Sequence, residues 1–190
     1  MALALPLLAG LAVAPLVGGR WSRLGQLKLR AVGFFYLGIA LQIAAFPAGR
    51  LPWSTPDHVA VALWLVSYAV FAVALAVNVR TIPGVPLVGA GLVLNVVAVA
   101  ANGGHMPALP SALRAAGMHF SQSRNSIALA HPHLAWLVDR WAAPAWVPYG
   151  NVFSVGDVLI AAGSVVFALA ATGALTSVAG VRARRPRTAG

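Results

Sequence analysis

Five long apolar stretches constrain this chain more than any other feature of its sequence. They contain neither Lys nor Arg and run approximately over residues 2–19, 31–48, 58–79, 83–101 and 155–177. A membrane helix needs about 20 mostly apolar residues to cross roughly 30 Å of hydrocarbon. Strands of a membrane barrel have about 10 residues of alternating polarity. The sequence therefore predicts an all-α fold, an integral membrane bundle of five transmembrane helices.

The overall composition supports this interpretation. Of the 190 residues, 60% are hydrophobic and only 8% are charged, whereas an ordinary soluble domain carries about 25% charged residues. This balance excludes a water-soluble globule and a disordered chain. The length favours a single transmembrane domain over residues 1–180, followed by a basic tail over residues 181–190. Because the chain has no Cys, disulfides and thiolate catalysis are excluded.

The basic residues predict the orientation of the helices. Thirteen Lys and Arg stand against three Asp and no Glu, and they lie in short runs beside the apolar stretches. They therefore predict contact with anionic lipid headgroups, not with nucleic acid. Placing loop 20–30, the turn 80–82 and the tail in the cytoplasm puts nine of the bases there. The predicted protein is multi-pass, N-out and C-in, in a bacterial plasma (inner) membrane.

The longest connection, residues 102–154, is predicted to be an interfacial helical segment on the outer face between the fourth and fifth spans. Trp136 and Trp141 are side chains typical of the headgroup level. Pro132 suits a first helical turn, and apolar residues follow it at helical spacing. These apolar residues are Leu134, Leu137 and Val138.

Two of the aspartates lie where helices are expected to begin. Thr55-Pro56-Asp57 predicts a helix start with Thr55 as the N-cap and the acid in the first turn. Ser154 and Asp157 have the spacing of a capping box, in which each side chain bonds the backbone of the other. An acid at the boundary of a span is also a candidate for function.

Asp139 and Asp157 are the predicted catalytic pair. They lie 18 residues apart on the same predicted membrane face, and two neighbouring carboxyl groups can divide acid and base roles around one water. Further polar residues are expected to support them: Asn102, Arg140, Asn151 and Ser154. A local ion pair between Asp139 and Arg140 is the structural alternative.

Polar residues inside the predicted spans suggest a different role. Gln42 and Asn95 interrupt apolar runs, and such residues form hydrogen bonds between membrane helices or line a transport path. No metal site is predicted, because His131 and His133 are two residues apart and would point away from each other on a helix or a strand. No cofactor is predicted either.

Two motifs carry a family resemblance. The stretch from Asn151 to Ile160, Asn-Val-Phe-Ser-Val-Gly-Asp-Val-Leu-Ile, together with Asn-Gly-Gly-His-Met-Pro over residues 102–107, resembles an uncharacterised family of bacterial multi-pass membrane proteins that carries a domain of unknown function. The last third is also faintly similar to lipoprotein signal peptidases, which are membrane aspartic peptidases. That resemblance implies catalytic roles for Asp139 and Asp157. Trp136 stands where the peptidases have Asn.

Three functions follow as hypotheses. The first is a polytopic membrane protein without enzymatic activity, an accessory or assembly component with a membrane-protein partner or a second copy of itself. The alternative is an outer-face aspartic peptidase-like hydrolase that uses Asp139 and Asp157. A small transporter or channel is the further alternative. The substrate is not predicted.

Overall fold

A computed structural model describes residues 4–46, 54–118, 122–123, 126–144 and 152–175, and every structural statement below refers to these ranges. The described chain is mostly helical. Its α-helices are α1 (Ala4–Val13), α2 (Val32–Ala45), α3 (Asp57–Ala76), α4 (Val85–Ala101), α5 (Pro110–Ala115) and α6 (Val155–Ala171), and two 3-10 helices cover Ala14–Val17 and Trp21–Gln26. Its short strands are β1 (Met106–Ala108), β2 (Gln122–Ser123), β3 (Ser126–Ala128), β4 (Trp141–Ala142) and β5 (Val152–Phe153).

Each predicted apolar stretch contains one long helix, namely α1, α2, α3, α4 or α6. Helix α3, with 20 residues, is the one described helix that is long and apolar enough to cross a membrane by itself. The other four apolar helices have between 10 and 17 residues. The predicted helices are therefore present, whereas helix length does not establish that all five span a membrane.

The helices form two pairs. Helix α2 packs on α3, α4 packs on α6, and α1 also packs on α6, while α3 and α4 make a smaller contact. The second pair is close because Gly91 faces Gly156 and Gly84 faces Gly163, so that a Cβ at any of these positions would collide with the facing helix. Small residues allow such close approach between apolar helices.

The two ends of this bundle differ in charge. At one end of the bundle, α4 ends, α6 begins, and the described part of residues 102–154 folds over the helices. We call this covering segment the cap and this end the capped end. All three aspartates lie at the capped end. At the opposite end, buried Asn78 bonds the backbone N–H of Arg30 (3.0 Å) and its carbonyl (2.9 Å). The described bases of the connections at this opposite end are Arg20, Arg23, Lys28, Arg30 and Arg80.

The predicted interfacial helix after Pro132 is wrong. The region consists of turns, and within the described part of 102–154 the one α-helix is α5. Strand β3 pairs parallel with β1 and antiparallel with β2, while β4 pairs antiparallel with β5. Leu137 and Val138 are buried, so they pack into the protein instead of facing a lipid leaflet. Strand-like backbone bonds from Asp139 to Pro107 and Leu109 (both 2.9 Å) compete with a helix here.

Of the two N-caps that were predicted at the capped end, the structure confirms one. Helix α6 begins with the predicted capping box, in which the side chains of Ser154 and Asp157 each bond the other's backbone. The prediction for Thr55 is wrong, because α3 begins at Asp57 with Pro56 as its N-cap and without a side-chain cap. The Thr55 hydroxyl instead donates to the Ala44 carbonyl (2.6 Å), at the end of α2.

Candidate functional site

A cavity of about 640 Å³ lies between the helix pair α2/α3 and the helix pair α4/α6. This volume is within the range of about 300–1,000 Å³ that is usual for small-molecule sites. The cavity reaches up to the cap, where strands β3 and β5 contribute to its wall. Its polar lining residues are Gln42, Tyr68, Asn95, Ser126, Asp139 and Asp157.

The lining changes from polar to apolar along the bundle. Helix α3 exposes Trp64, Tyr68, Phe71 and Leu75 to the cavity, at the spacing of one helix face, which extends over about 16 Å at 1.5 Å per residue. The part far from the cap is lined by apolar side chains, namely Phe35, Phe71, Leu75, Val88 and Leu92. The site therefore has a polar end under the cap and an apolar end inside the bundle.

A hydrophobic cluster lies around the apolar end of the cavity. Leu75, Ile82 and Val85 are buried there, and Phe35 and Phe167 pack against them. Consequently the described residues provide no polar lining that continues from the cavity to the opposite end of the bundle.

Asp157 is held by its own helix start and by α4. Its Oδ1 accepts a bond from the Asn95 amide (3.0 Å), and its Oδ2 accepts one from the Ser154 backbone N–H (2.9 Å). The Ser154 hydroxyl lies 2.9 Å from Asp157 Oδ2 and 3.0 Å from Asn95 Oδ1, so its one hydrogen is shared between these acceptors. These bonds fix the Asp157 carboxyl group between the start of α6 and the side of α4.

Asp139 has different surroundings. Its backbone N–H donates to the Pro107 carbonyl and its own carbonyl accepts from Leu109 N–H, which fixes the residue beside β1, while only 7% of its surface is exposed. Burial, and secondly the charge of Asp157, raise the pKa of Asp139 from 3.8 to about 8. At neutral pH this carboxyl group is therefore mostly protonated and can donate a hydrogen bond or a proton.

The remaining predicted residues divide into two groups. Gln42 and Asn95 line the cavity, and buried Ser154 supports both Asn95 and Asp157. Asn102 and Arg140 are not among the lining residues. Asn151 lies outside the described residues.

Asn102 and Arg140 have other contacts. The side chain of Asn102 bonds both the N–H (2.9 Å) and the carbonyl (3.0 Å) of His133, and so ties the cap to the end of α4. The guanidinium of Arg140 is exposed and lies 5.5 Å from the ring centroid of Trp141. These contacts support the cap and do not orient either aspartate directly.

Tyr68, Ser126 and Trp64 line the cavity but were not among the residues predicted from sequence. Tyr68 had a detectable signal, since Ser67-Tyr68 interrupts an otherwise apolar run in the middle of α3. Ser126 had none, because it belongs to a polar connection and reaches the cavity only through the pairing of β3 with β1. Among the described residues, no group of three His, Cys, Asp or Glu is placed to hold a metal ion.

Fold and site together define a mostly helical protein with two aspartates at the polar end of a cavity between two helix pairs. Residues 26–169 match a family described as "Family of unknown function (DUF5317)", and the chain belongs to that family. The matched range contains α2 to α5 and most of α6, with both aspartates. No curated protein and no solved structure matches the chain. The predicted family of unknown function is thus confirmed, while the resemblance to lipoprotein signal peptidases stays a prediction.

Proposed function

We propose that this protein is a multi-pass integral membrane hydrolase whose acid–base pair is Asp139 and Asp157. The observation that carries the proposal is that these two residues, 18 positions apart in sequence, border one cavity, in which the Asp139 side chain is buried. Two carboxyl groups whose surroundings separate their protonation are the usual arrangement for dividing acid and base roles.

Exposed apolar side chains support the membrane part of the proposal. On α2, Phe34, Leu37, Ile39 and Ile43 are each between 42% and 50% exposed. Contiguous apolar surface of this kind is rare on soluble monomers, and lipid would cover it. Helices α4 and α6 have 17 residues each, or about 25 Å, which is the lower limit for a span. Bases at the opposite end support a cytoplasmic position for that end.

The proposed reaction is hydrolysis of an ester or amide. Asp157 takes a proton from water as the water oxygen bonds the carbonyl carbon, and Asp139 gives its proton to the carbonyl oxygen. The resulting tetrahedral diol collapses: one hydroxyl returns its proton to Asp139 as the C=O bond re-forms. The bond to the leaving group breaks, and that group takes the proton from Asp157. The products are an acid and an alcohol or amine, and both aspartates regain their starting states.

Hydrolysis of fluorogenic probes tests this function. The full chain in phosphatidylcholine nanodiscs is incubated with the decanoyl ester of 4-methylumbelliferone and with the decanoyl amide of 7-amino-4-methylcoumarin. We expect turnover of at least one probe, and a loss of 100-fold or more in Asp139→Asn and in Asp157→Asn. Asp57→Asn is the matched control, because Asp57 is exposed in the first turn of α3 and does not line the cavity. Absence of turnover, or equal turnover in the double variant, contradicts the proposal.

Disulfide formation tests the geometry separately. The chain has no native Cys, so Asp139→Cys with Asp157→Cys introduces the only two thiols. We expect a disulfide under mild oxidation, which requires Cα atoms within about 7 Å. Two reagent-accessible thiols that do not cross-link would contradict direct contact between the two side chains.

A small transporter is the second candidate, because Gln42 and Asn95 line the same cavity. The apolar cluster around Leu75 and Val85 at the other end favours hydrolysis over transport. An accessory role without activity follows if neither probe is turned over.

A further inference from the structure

We propose that the cavity binds an amphiphile with a single hydrocarbon chain, with its uncharged or cationic polar group beside Asp139 and Asp157 and its chain between α2, α3 and α4. The inference rests on the proposed function in using the same two aspartates, and it adds the class of substrate. Three independent features of the cavity support it.

The first feature is the division of the lining. The polar groups lie at the capped end, and the remaining length is bordered by side chains such as Phe71, Leu75 and Leu92. A small polar metabolite would leave this apolar length in contact with water, which is unfavourable. An alkyl chain would cover this apolar surface, and its removal from water stabilises the complex by about 25 cal/mol per Å².

The second feature is the volume. About 640 Å³ corresponds to about 20 water-sized volumes of roughly 30 Å³ each. One long chain with a small polar group has about that number of heavy atoms, whereas a two-chain phospholipid has more than twice as many. The cavity therefore fits one chain.

The third feature is charge. Among the residues that the structure describes, the lining includes two aspartates and no Lys, Arg or His. The Asp157 carboxylate, held by bonds from Asn95 and Ser154, would repel a phosphate or carboxylate brought into the same low-dielectric space. An ester, amide, alcohol or amine meets no such repulsion and can bond Asp139, Gln42 or Ser126.

The packing of the helices also provides a route of entry. Helix α2 packs on α3, whereas α6 packs on α4 and α1, so the two walls of the cavity do not close on each other through an extensive contact. The outward face of α2 is apolar and exposed. A chain dissolved in the surrounding hydrocarbon phase can therefore enter between the two helix pairs.

Photolabelling with two matched probes tests the inference. The full chain in phosphatidylcholine nanodiscs is irradiated with a C16 amine, or with a C16 carboxylic acid, that carries a diazirine in mid-chain. Labelled residues are located by mass spectrometry. We expect the amine to label the cavity faces of α3 and α4, with at least 10-fold more label there than the acid gives.

Two adjacent positions on α4 offer a matched control. Leu92 lines the cavity, whereas Val93 is 57% exposed and does not. We expect Leu92→Trp to reduce labelling of the cavity faces at least 10-fold, because the larger ring fills the apolar end, and Val93→Trp to leave it unchanged. Should Leu92→Trp fail to fold by circular dichroism, Val88→Phe with Leu87→Phe as control repeats the comparison one turn away.

Equal labelling by amine and acid, or labelling spread over exposed residues and insensitive to Leu92→Trp, would overturn the inference. The amine has no bond to hydrolyse, so the outcome is independent of activity. Cavity labelling without turnover of the fluorogenic probes refutes the hydrolase and keeps the ligand class. Turnover without cavity labelling refutes the ligand class and keeps the hydrolase.

Discussion

The two aspartates of the cavity are the same residue type held in two kinds of structure. Asp157 lies at a helix start, where Ser154 and Asn95 donate hydrogen bonds to its carboxylate. Asp139 lies in a strand-like segment, where backbone bonds hold its main chain and the protein buries its side chain. Burial of a carboxyl group favours its neutral form. The comparison shows how one cavity can hold one carboxyl group by side-chain and backbone hydrogen bonds and another by its main chain alone.

The largest expected effect concerns stability against pH. The pKa of Asp139 is about 8 in the folded protein, against 3.8 when exposed. Between these values the folded state binds more protons than the unfolded state, so the free energy of unfolding falls as pH rises from about 4 to about 8. The fall is on the order of 5 kcal/mol, and thermal unfolding from pH 4 to pH 9 measures it.

The control for this pH effect is a pair of variants. We expect Asp139→Asn to lose the fall and to exceed the wild type in stability above pH 8, whereas Asp57→Asn keeps it. A wild-type curve that rises through this range would show that Asp139 is not the buried acid of the pair.

A smaller effect is expected at the contact between α4 and α6. A Cβ at Gly156 would collide with the Asn95 side-chain oxygen, so Gly156→Ala displaces the amide that bonds Asp157. Overpacking of this kind costs about 1–3 kcal/mol. Chemical denaturation measures the loss, with Gly89→Ala as the matched control.

Gly89 is helical and nothing lies within 4 Å of a Cβ added there. Alanine at this position should therefore be neutral or stabilise the helix by up to about 1 kcal/mol. Equal stability of Gly156→Ala and the wild type would mean that the bond from Asn95 to Asp157 is not held by close helix packing.

The smallest expected effect is at Ser154, the N-cap residue of α6. Ser154→Ala removes the hydroxyl from the capping box and should cost about 1 kcal/mol. Ser164, on the same helix, donates its hydroxyl to the Ile160 carbonyl (2.8 Å), and Ser164→Ala should cost less than half as much, because that carbonyl keeps its helical bond. Equal losses of unfolding free energy in the two variants would contradict a stabilising role of the Ser154 hydroxyl at the start of α6.

The elements that the sequence predicted correctly depend on neighbours along the chain. The five long helices follow from continuous apolar runs, and the capping box of α6 follows from a three-residue spacing. The segment after Pro132 was mispredicted because its helical spacing of apolar residues competes with pairing partners far away in sequence, such as Pro107 for Asp139. Strand pairing of this kind leaves no mark in a local pattern.

The sequence by itself determined the helical class, the helix positions and the presence of two candidate carboxyl groups at one end, since apolar runs and charges act locally. Only the tertiary structure decided that Asp139 and Asp157 border the same cavity, that Tyr68 and Ser126 join them, and that burial raises the pKa of Asp139. The physical reason is that protonation depends on burial and on donors from other elements. Those elements meet only when the two helix pairs and the cap assemble.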